Sequence, residues 1–381
     1  MRLPRISRRE AVFGGVMLLL CAALWLVPAP DRLAKPSGCS VAARVKSVDN
    51  SQLVMHGLVL YGSQTLTVTI TEGKFKGMEF PAANELRAQL ELDKVFAPGD
   101  RITVALVEDA VPGESVLTAK DFDRSIWTAA LFGLFCLLLI VFGSWTGVKA
   151  LLSFLFSCLI IYKAIIPLAL RGAPAGWMIF GSVVLLTAVI IFLVAGITRK
   201  ALAAFSGATA GVFAGLAMAH LFGALMKING ATMPYVQALF FSGYDFLDMA
   251  DIFTGALILA SSGAVMDLAM DIASAVEELS FHNPQLGAGK LFASGIRIGR
   301  SVVGTMTTTL LLAYSGGYLT LLMMFVAQGT SIRDVINNPL VAAEMVKTLI
   351  GSFSLVLVAP LTAAVSGWIF GSRSGKKPEN A

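Results

Sequence analysis

Long apolar runs, separated by short polar segments, occupy most of the chain after residue 125. Seven of them reach the roughly 20 residues that an α-helix needs to cross about 30 Å of hydrocarbon. They cover about 125–145, 148–170, 176–197, 201–226, 251–273, 301–326 and 346–370. An eighth run, Ala11–Val27, lies near the N-terminus. The pattern predicts an α-helical polytopic membrane protein with about eight transmembrane helices, 125–370 forming a seven-helix membrane domain.

The N-terminal run follows a basic segment that contains Arg2, Arg5, Arg8 and Arg9. This arrangement is typical of a cleaved signal peptide or of a retained anchor. Cleavage after Ala29 would leave a proline at the new N-terminus, which makes a poor cleavage site. We therefore interpret residues 1–27 as a membrane anchor and keep a cleaved signal as the alternative.

Residues 28–124 have a different pattern, with 11 Lys/Arg and 13 Asp/Glu. Short runs rich in Val, Thr, Leu and Ile alternate there with glycines, which is typical of strands and turns. The predicted strands are Val41–Val48, Gln52–Tyr61, Thr65–Thr71 and Arg101–Val107, and Asn84–Leu92 is a predicted short helix. We expect a small extracytoplasmic β-rich domain of OB-like type, with a generic small β-domain as the alternative.

The composition, 56% hydrophobic and 14% charged, excludes an ordinary cytosolic enzyme. The net charge of +5 could indicate a nucleic-acid partner, but its distribution indicates a bilayer instead. With the N-terminus inside and the spans alternating, 13 basic residues lie on the cytoplasmic side and four in the short outer loops. This predicts a bacterial inner-membrane protein with both termini cytoplasmic, including a basic tail over 371–381, and no nucleic-acid partner.

Several chemical signatures are absent from the sequence. The four cysteines and three histidines show no metal-ligand spacing, and no phosphate-binding loop or hydrolase motif occurs. We therefore expect no catalytic residue, no metal and no cofactor, and a protein that is not an enzyme.

Ionisable residues within predicted spans are costly and are therefore functional candidates. Asp267 and Asp271 are four residues apart in the sixth span and share one helix face. Thr305 and Thr307 lie near the start of the seventh span, and Thr307 and Asp267 are at a similar depth, each about 9 Å in. These oxygens predict a site for a proton or a hard cation. A solvated interfacial position for Asp271 is the alternative.

Four further residues are secondary candidates. Lys163 either extends to the outer headgroups or pairs with Asp248 or Asp251, and His220 is either a proton relay or a hydrogen-bonded core residue. The fifth span carries small residues at four-residue intervals, which predicts a ridge for close helix packing. Its glycines are Gly207, Gly211, Gly215 and Gly223.

Three stretches resemble the YibE/F-like family of bacterial multi-span membrane proteins. They are Ser262–Met270 with the following His282-Asn283-Pro284, Ser294–Arg300, and Gly304–Tyr314. The resemblance covers roughly 125–370, and 28–124 is similar to the family's extracytoplasmic region. The family pattern has a small polar residue at Asp271 and an asparagine at Thr308, so it implies greater weight for Gly304, Thr305, Thr307 and Asp267. It implies no particular substrate.

Two functions are consistent with this sequence. The first is secondary transport of a small solute or ion, coupled to protons or sodium through Asp267. The second is a non-transporting membrane assembly or envelope factor that uses residues 28–124 as its binding module. Besides the bilayer, the expected partners are a second copy of the chain or another membrane protein.

Overall fold

The computed structural model describes residues 8–26, 39–90, 92–106 and 110–371. It divides into two compact units, Asp31–Leu138 and a second unit made of Met1–Pro30 with Leu139–Ala381. The predicted basic tail lies outside the described residues except for Gly371. The predicted N-terminal anchor is an α-helix, α1 (Arg8–Leu26), whose Met17 and Cys21 are buried against the helical unit.

Six strands form a small β-barrel. They are β1 (Cys39–Asp49), β2 (Leu53–His56), β3 (Val59–Ile70), β4 (Glu79–Arg87), β5 (Arg101–Leu106) and β6 (Leu117–Phe122). β1 pairs with both β3 and β5, β3 pairs with β4, and β5 pairs with β6, all antiparallel. The parallel pair of β4 and β6 closes the ring of five strands, and β2 extends it as a hairpin on β3. The predicted small β-domain is confirmed, and its strands form a barrel.

Several details of the barrel differ from the sequence-based expectation, and neither β4 nor β6 was among the predicted strands. The run 52–61 is not one strand, because Gly57 and Leu58 turn the chain between β2 and β3. The helix expected from Asn84 is wrong: residues 84–87 complete β4, in which alternate residues Phe80, Ala82 and Asn84 point into the core.

A buried amide pair explains why the chain stays extended at Asn84. The Asn84 Nδ2 group donates to Gln64 Oε1 at 3.0 Å and to the Lys94 carbonyl at 2.6 Å. Gln64, which has no exposed surface, also accepts from the Phe96 amide and donates to the Phe96 carbonyl. Buried polar groups of this kind must be paired, so the network fixes the segment before β5 to the barrel.

Ten further helices follow the barrel. They are α2 (Ser125–Ile160), α3 (Ile166–Leu170), α4 (Ala175–Ala195), α5 (Arg199–Leu225), α6 (Val236–Phe241), α7 (Met249–His282), α8 (Ala288–Gly316), α9 (Leu319–Ala327), α10 (Ile332–Asn337) and α11 (Pro339–Gly371). A π-helical turn, Ile161–Ile165, joins α2 to α3. The Asp123 carboxylate accepts from the Ser125 hydroxyl and amide where α2 begins, which holds the pKa of Asp123 below its usual value.

Five helical stretches in the described residues are long and apolar enough to cross a membrane, and the bent pair α8 and α9 would add a sixth. The first stretch, Ser125–Leu170, has 46 residues and is interrupted at Ser144, where the backbone leaves helical geometry. The sequence predicts two spans there, separated near that residue. α8 and α9 meet at 66°, because the chain bends at the Gly316-Gly317 pair that interrupts the predicted run 301–326.

Five helices, α4, α5, α7, α8 and α11, run in alternating directions and pack together. α11 lies between α5 and α8, and each neighbour presents glycines to it. An added Cβ at Gly211 of α5 would lie 2.7 Å from Val358 Cβ. Added Cβ atoms at Gly207 and Gly215 would lie even closer to the hydroxyls of Thr362 and Ser354. On α8, an added Cβ at Gly295 would lie 2.8 Å from Ala363 Cβ, and one at Gly299 would lie 2.9 Å from Ala359 Cβ.

The predicted ridge on α5 is therefore a packing surface over three of its four glycines. Gly223 is different: an added Cβ there meets nothing within 4 Å, so its prediction as a packing residue is wrong. At this position α5 borders a cavity instead.

We expect Gly211→Ala to destabilise the helical unit by about 1–3 kcal/mol, because the added methyl group forces α5 away from Val358. Gly211→Leu should be worse. Gly223→Ala is the matched control on the same helix and should leave stability unchanged. Thermal unfolding of the purified proteins in detergent measures both, and equal midpoints for the two alanine variants would contradict the packing role.

Candidate functional site

The two central carboxylates lie near the middle of α7. This helix continues to His282, beyond the predicted end at 273, so Asp267 is close to the centre of a 34-residue helix. Asp267 and Asp271 lie on the exposed face, together with Ala260 and Gly263, whereas Val265, Leu268 and Ile272 are fully buried. Neither carboxylate makes a hydrogen bond or an ion pair with any residue that the structure describes.

The threonines of α8 lie at the level of these carboxylates. Gly299 packs near Ile272 and Gly295 near Val276, so the two helices are antiparallel. Continuing this register places Thr307 level with Ala264, within one turn of Asp267. The predicted hydroxyls and carboxylates therefore share a depth.

The hydroxyls of the described threonines make no hydrogen bond to the carboxylates of Asp267 and Asp271. Thr305 is exposed and its hydroxyl donates to the Val302 carbonyl. The hydroxyls of Thr308 and Thr309 also donate to backbone carbonyls of α8. The Thr307 hydroxyl is buried and has no partner among the described residues. The arrangement is thus an open polar strip along two helices, with Asp267 and Asp271 on one and hydroxyls on the other.

A second group of polar side chains lies at the first turn of α7. An added Cβ at Gly176, in the first turn of α4, would lie 2.5 Å from Asp251 Oδ1 and 3.3 Å from His220 Nε2. The carboxylate and the imidazole therefore approach the same point on the α4 backbone. They come from α7 and α5, and only a glycine at position 176 leaves room for both.

These side chains border a cavity of about 280 Å³. Asp248 and Lys227 also line it, as does Gly223, the glycine of α5 that does not pack. One carboxylate oxygen of Asp248 accepts from the amides of Ala250 and Asp251 and so caps the start of α7. The cavity thus combines two carboxylates, one imidazole and one ammonium group at the end of the bundle where α4 and α7 begin.

The secondary candidates are only partly brought together. His220, Asp248 and Asp251 line one cavity, whereas the sequence treated His220 separately. Lys163 lies in the π-helical turn, with its Nζ atom 5.8 Å from the centre of the Tyr162 ring, and the predicted ion pair with Asp248 or Asp251 is not seen among the described residues. Within the described residues no three His, Cys, Asp or Glu side chains form a group that could hold a metal ion.

Sequence reasoning missed four residues. Gly176 carries no signal by itself, because its role depends on two residues distant in sequence. Lys227 was counted only as an outer-loop charge. Gly295 and Gly299 are four residues apart, the spacing of a small-residue packing motif, and could have been found in the same way as the ridge on α5.

Comparison with known proteins gives one match. No curated protein and no solved structure is significantly similar to this chain. The sequence profile of the YibE/F-like protein family matches residues 131–372, which is more than half of the chain and includes α7, α8 and α11. The stretches with Asp267, Thr305 and Gly295 all lie within the match. The chain therefore belongs to the YibE/F-like protein family.

Proposed function

We propose that this protein is a secondary transporter of a small solute or ion in the bacterial inner membrane, coupled to protons or sodium through Asp267. The observation that carries the proposal is an unpaired carboxylate in the middle of a long apolar helix. A carboxylate at the centre of a membrane helix costs about 2.5–3.5 kcal/mol on insertion scales. Asp271, one turn away, adds like-charge repulsion.

Binding of a proton or a cation removes the electrostatic cost of this carboxylate, and reversible binding of that kind is what coupled transport requires. When Asp267 binds a proton or a sodium ion, the charge is neutralised, and when it releases that ion, the charge returns. The coupling ion then changes the electrostatic energy of α7 at one position in the bundle. The hydroxyls of Thr305 and Thr307, at the same level on α8, supply oxygen ligands or hydrogen-bond partners for such an ion.

The topology in this proposal has eight spans, with the barrel outside and both termini inside. This topology is supported by basic residues at one end of the bundle, where Arg199 and Lys200 lie at the start of α5 and Lys290 lies at the start of α8. Lys200 also pairs with Glu277 of α7 at 3.5 Å.

Reporter fusions test this topology. A reporter that is active only outside the cytoplasm should be active when fused after Pro112, and a cytoplasmic reporter should be active when fused after Gly371, because the basic loops are retained inside. A cytoplasmic signal from the Pro112 fusion would refute the eight-span arrangement.

The coupling role predicts that Asp267→Asn gives a folded, inserted protein that has lost coupled flux, by about tenfold or more. The amide keeps the shape of the side chain but cannot titrate or balance a cation. Proteoliposome flux, screened with ions and small metabolites under imposed proton and sodium gradients, measures the effect. Asp271→Asn, which removes the residue that departs from the family pattern, should be milder.

Normal flux with unaltered pH dependence in folded Asp267→Asn would remove this residue from the mechanism. Equal losses in the Asp267 and Asp271 variants would instead assign the effect to the total charge of the exposed face.

The second candidate function is a membrane assembly or envelope factor. One observation favours it: the β2–β3 hairpin of the barrel carries an exposed apolar tip, with Leu58 89% and Met55 67% exposed. The strand order of the barrel fits an OB-type fold, a family of barrels that use one face and its loops for binding. In this case the hairpin binds another envelope protein, and α7 associates with a second copy or a partner membrane protein.

The hairpin separates the two functions. Met55→Ser with Leu58→Ser leaves the barrel core untouched, so a transporter should keep its flux and its ability to complement a deletion. An assembly factor should lose complementation through these two changes while tolerating Asp267→Asn.

A further inference from the structure

The cavity at the start of α7 contains hydrogen-bond acceptors that the protein itself does not use. The Asp251 carboxylate is half-buried, and neither it nor His220 Nε2 forms a hydrogen bond or an ion pair with any described residue. Both line the same cavity and lie against the α4 backbone at Gly176, so a small group in the cavity can contact the two at once. Two unpaired polar side chains on one cavity indicate a ligand rich in hydrogen-bond donors.

We propose that this cavity binds a small zwitterion through its primary ammonium group, with Asp251 and His220 as acceptors and Lys227 facing the anionic end. A primary ammonium has three N–H donors and a positive charge, which suits a carboxylate and a neutral imidazole nitrogen. Lys227 supplies the opposite charge on the same cavity wall. The free oxygen of Asp248 adds a third acceptor.

Other ligand classes fit these residues less well. A transition metal needs several His or carboxylate ligands at short range, and the described residues offer no such group of three. A bare alkali cation prefers oxygen ligands, gains little from His220 and is repelled by Lys227. An apolar ligand would leave the carboxylate desolvated and unpaired.

The size of the cavity restricts the ligand further. About 280 Å³ is below the range of drug-sized pockets and suits a molecule of a few heavy atoms. A free amino acid and the headgroup of phosphatidylethanolamine share the required chemistry, a primary ammonium a few bonds from an anion. The first would be a solute and the second a membrane lipid.

This inference deepens the proposed transport by naming a substrate class, and it rests on that proposal only for the ligand's role as a substrate. Binding itself is independent of Asp267, which lies 16 residues further along α7. At 1.5 Å per residue the two positions are about 24 Å apart.

The test measures thermal stabilisation of the purified full-length protein in detergent. One arm titrates glycine, serine, glutamate and lysine, with N,N,N-trimethylglycine as a control that has no N–H donor. The other arm titrates a short-chain phosphatidylethanolamine against the matching phosphatidylcholine. We expect saturable stabilisation by a primary ammonium compound in one arm and none by its trimethylammonium counterpart.

Three variants locate the binding. Asp251→Asn should weaken binding by tenfold or more, because a charged hydrogen bond is lost. Gly176→Ala should do the same, because the added methyl group displaces Asp251 and His220 from their positions on the cavity, whereas Gly181→Ala, on the same helix with nothing within 4 Å of its Cβ, should bind as the parent does. Lys227→Met, at an exposed position, should weaken zwitterion binding but leave binding of methylammonium unchanged.

The proposal is overturned if no probe stabilises the protein, if the trimethylammonium controls bind equally well, or if folded Asp251→Asn and Lys227→Met bind as the parent does. Asp267→Asn separates this result from the transport mechanism. Normal binding with lost flux supports both proposals, and normal binding with normal flux rejects only the coupling role of Asp267.

Discussion

The close contact of α11 with glycines on two neighbouring helices is the constraint on which the helical unit depends. Lipid chains are as apolar as the side chains they meet, so helices in a membrane gain little from hydrophobic burial against each other and associate largely by close packing. Gly207, Gly211 and Gly215 bring α5 against one side of α11, and Gly295 and Gly299 bring α8 against the other. Side chains at these positions would separate three helices at once.

This packing decides which face of α7 remains exposed. Ile272 and Val276 of α7 contact the same α8 glycines that meet α11, and Val265 and Leu268 are fully buried on that side. The carboxylates of Asp267 and Asp271 must then lie on the other side, away from α11. The exposed charge is thus a geometric consequence of a helix whose apolar stripe is occupied by its neighbours.

The sequence predicts most of the architecture because apolar runs and small-residue spacing are local signals. The family, the membrane-helix character and the barrel are confirmed by the comparison or the structure, and three of the ridge glycines lie in close contact with α11. Helix ends were less accurate, since hydropathy detects only the apolar part of a helix such as α7. The Asn84 strand depends on Gln64, 20 residues away, and the cavity depends on Gly176, His220 and Asp251 from three helices. No local pattern contains such long-range contacts.

Two groups of polar side chains lie at different levels of one helix. α7 is packed against α4, α5, α8 and α11. Gly176 and Gly255 hold the starts of α4 and α7 in contact, with an added Cβ at Gly255 lying 3.2 Å from the Ala175 carbonyl oxygen. A side chain at position 176 would therefore displace Asp251 and His220 or separate these two helices. The same close packing that leaves Asp267 and Asp271 on the exposed face of α7 thus also fixes where Asp251 lies, about 24 Å away along the helix. The two polar groups depend on one set of helix contacts, although no residue belongs to both.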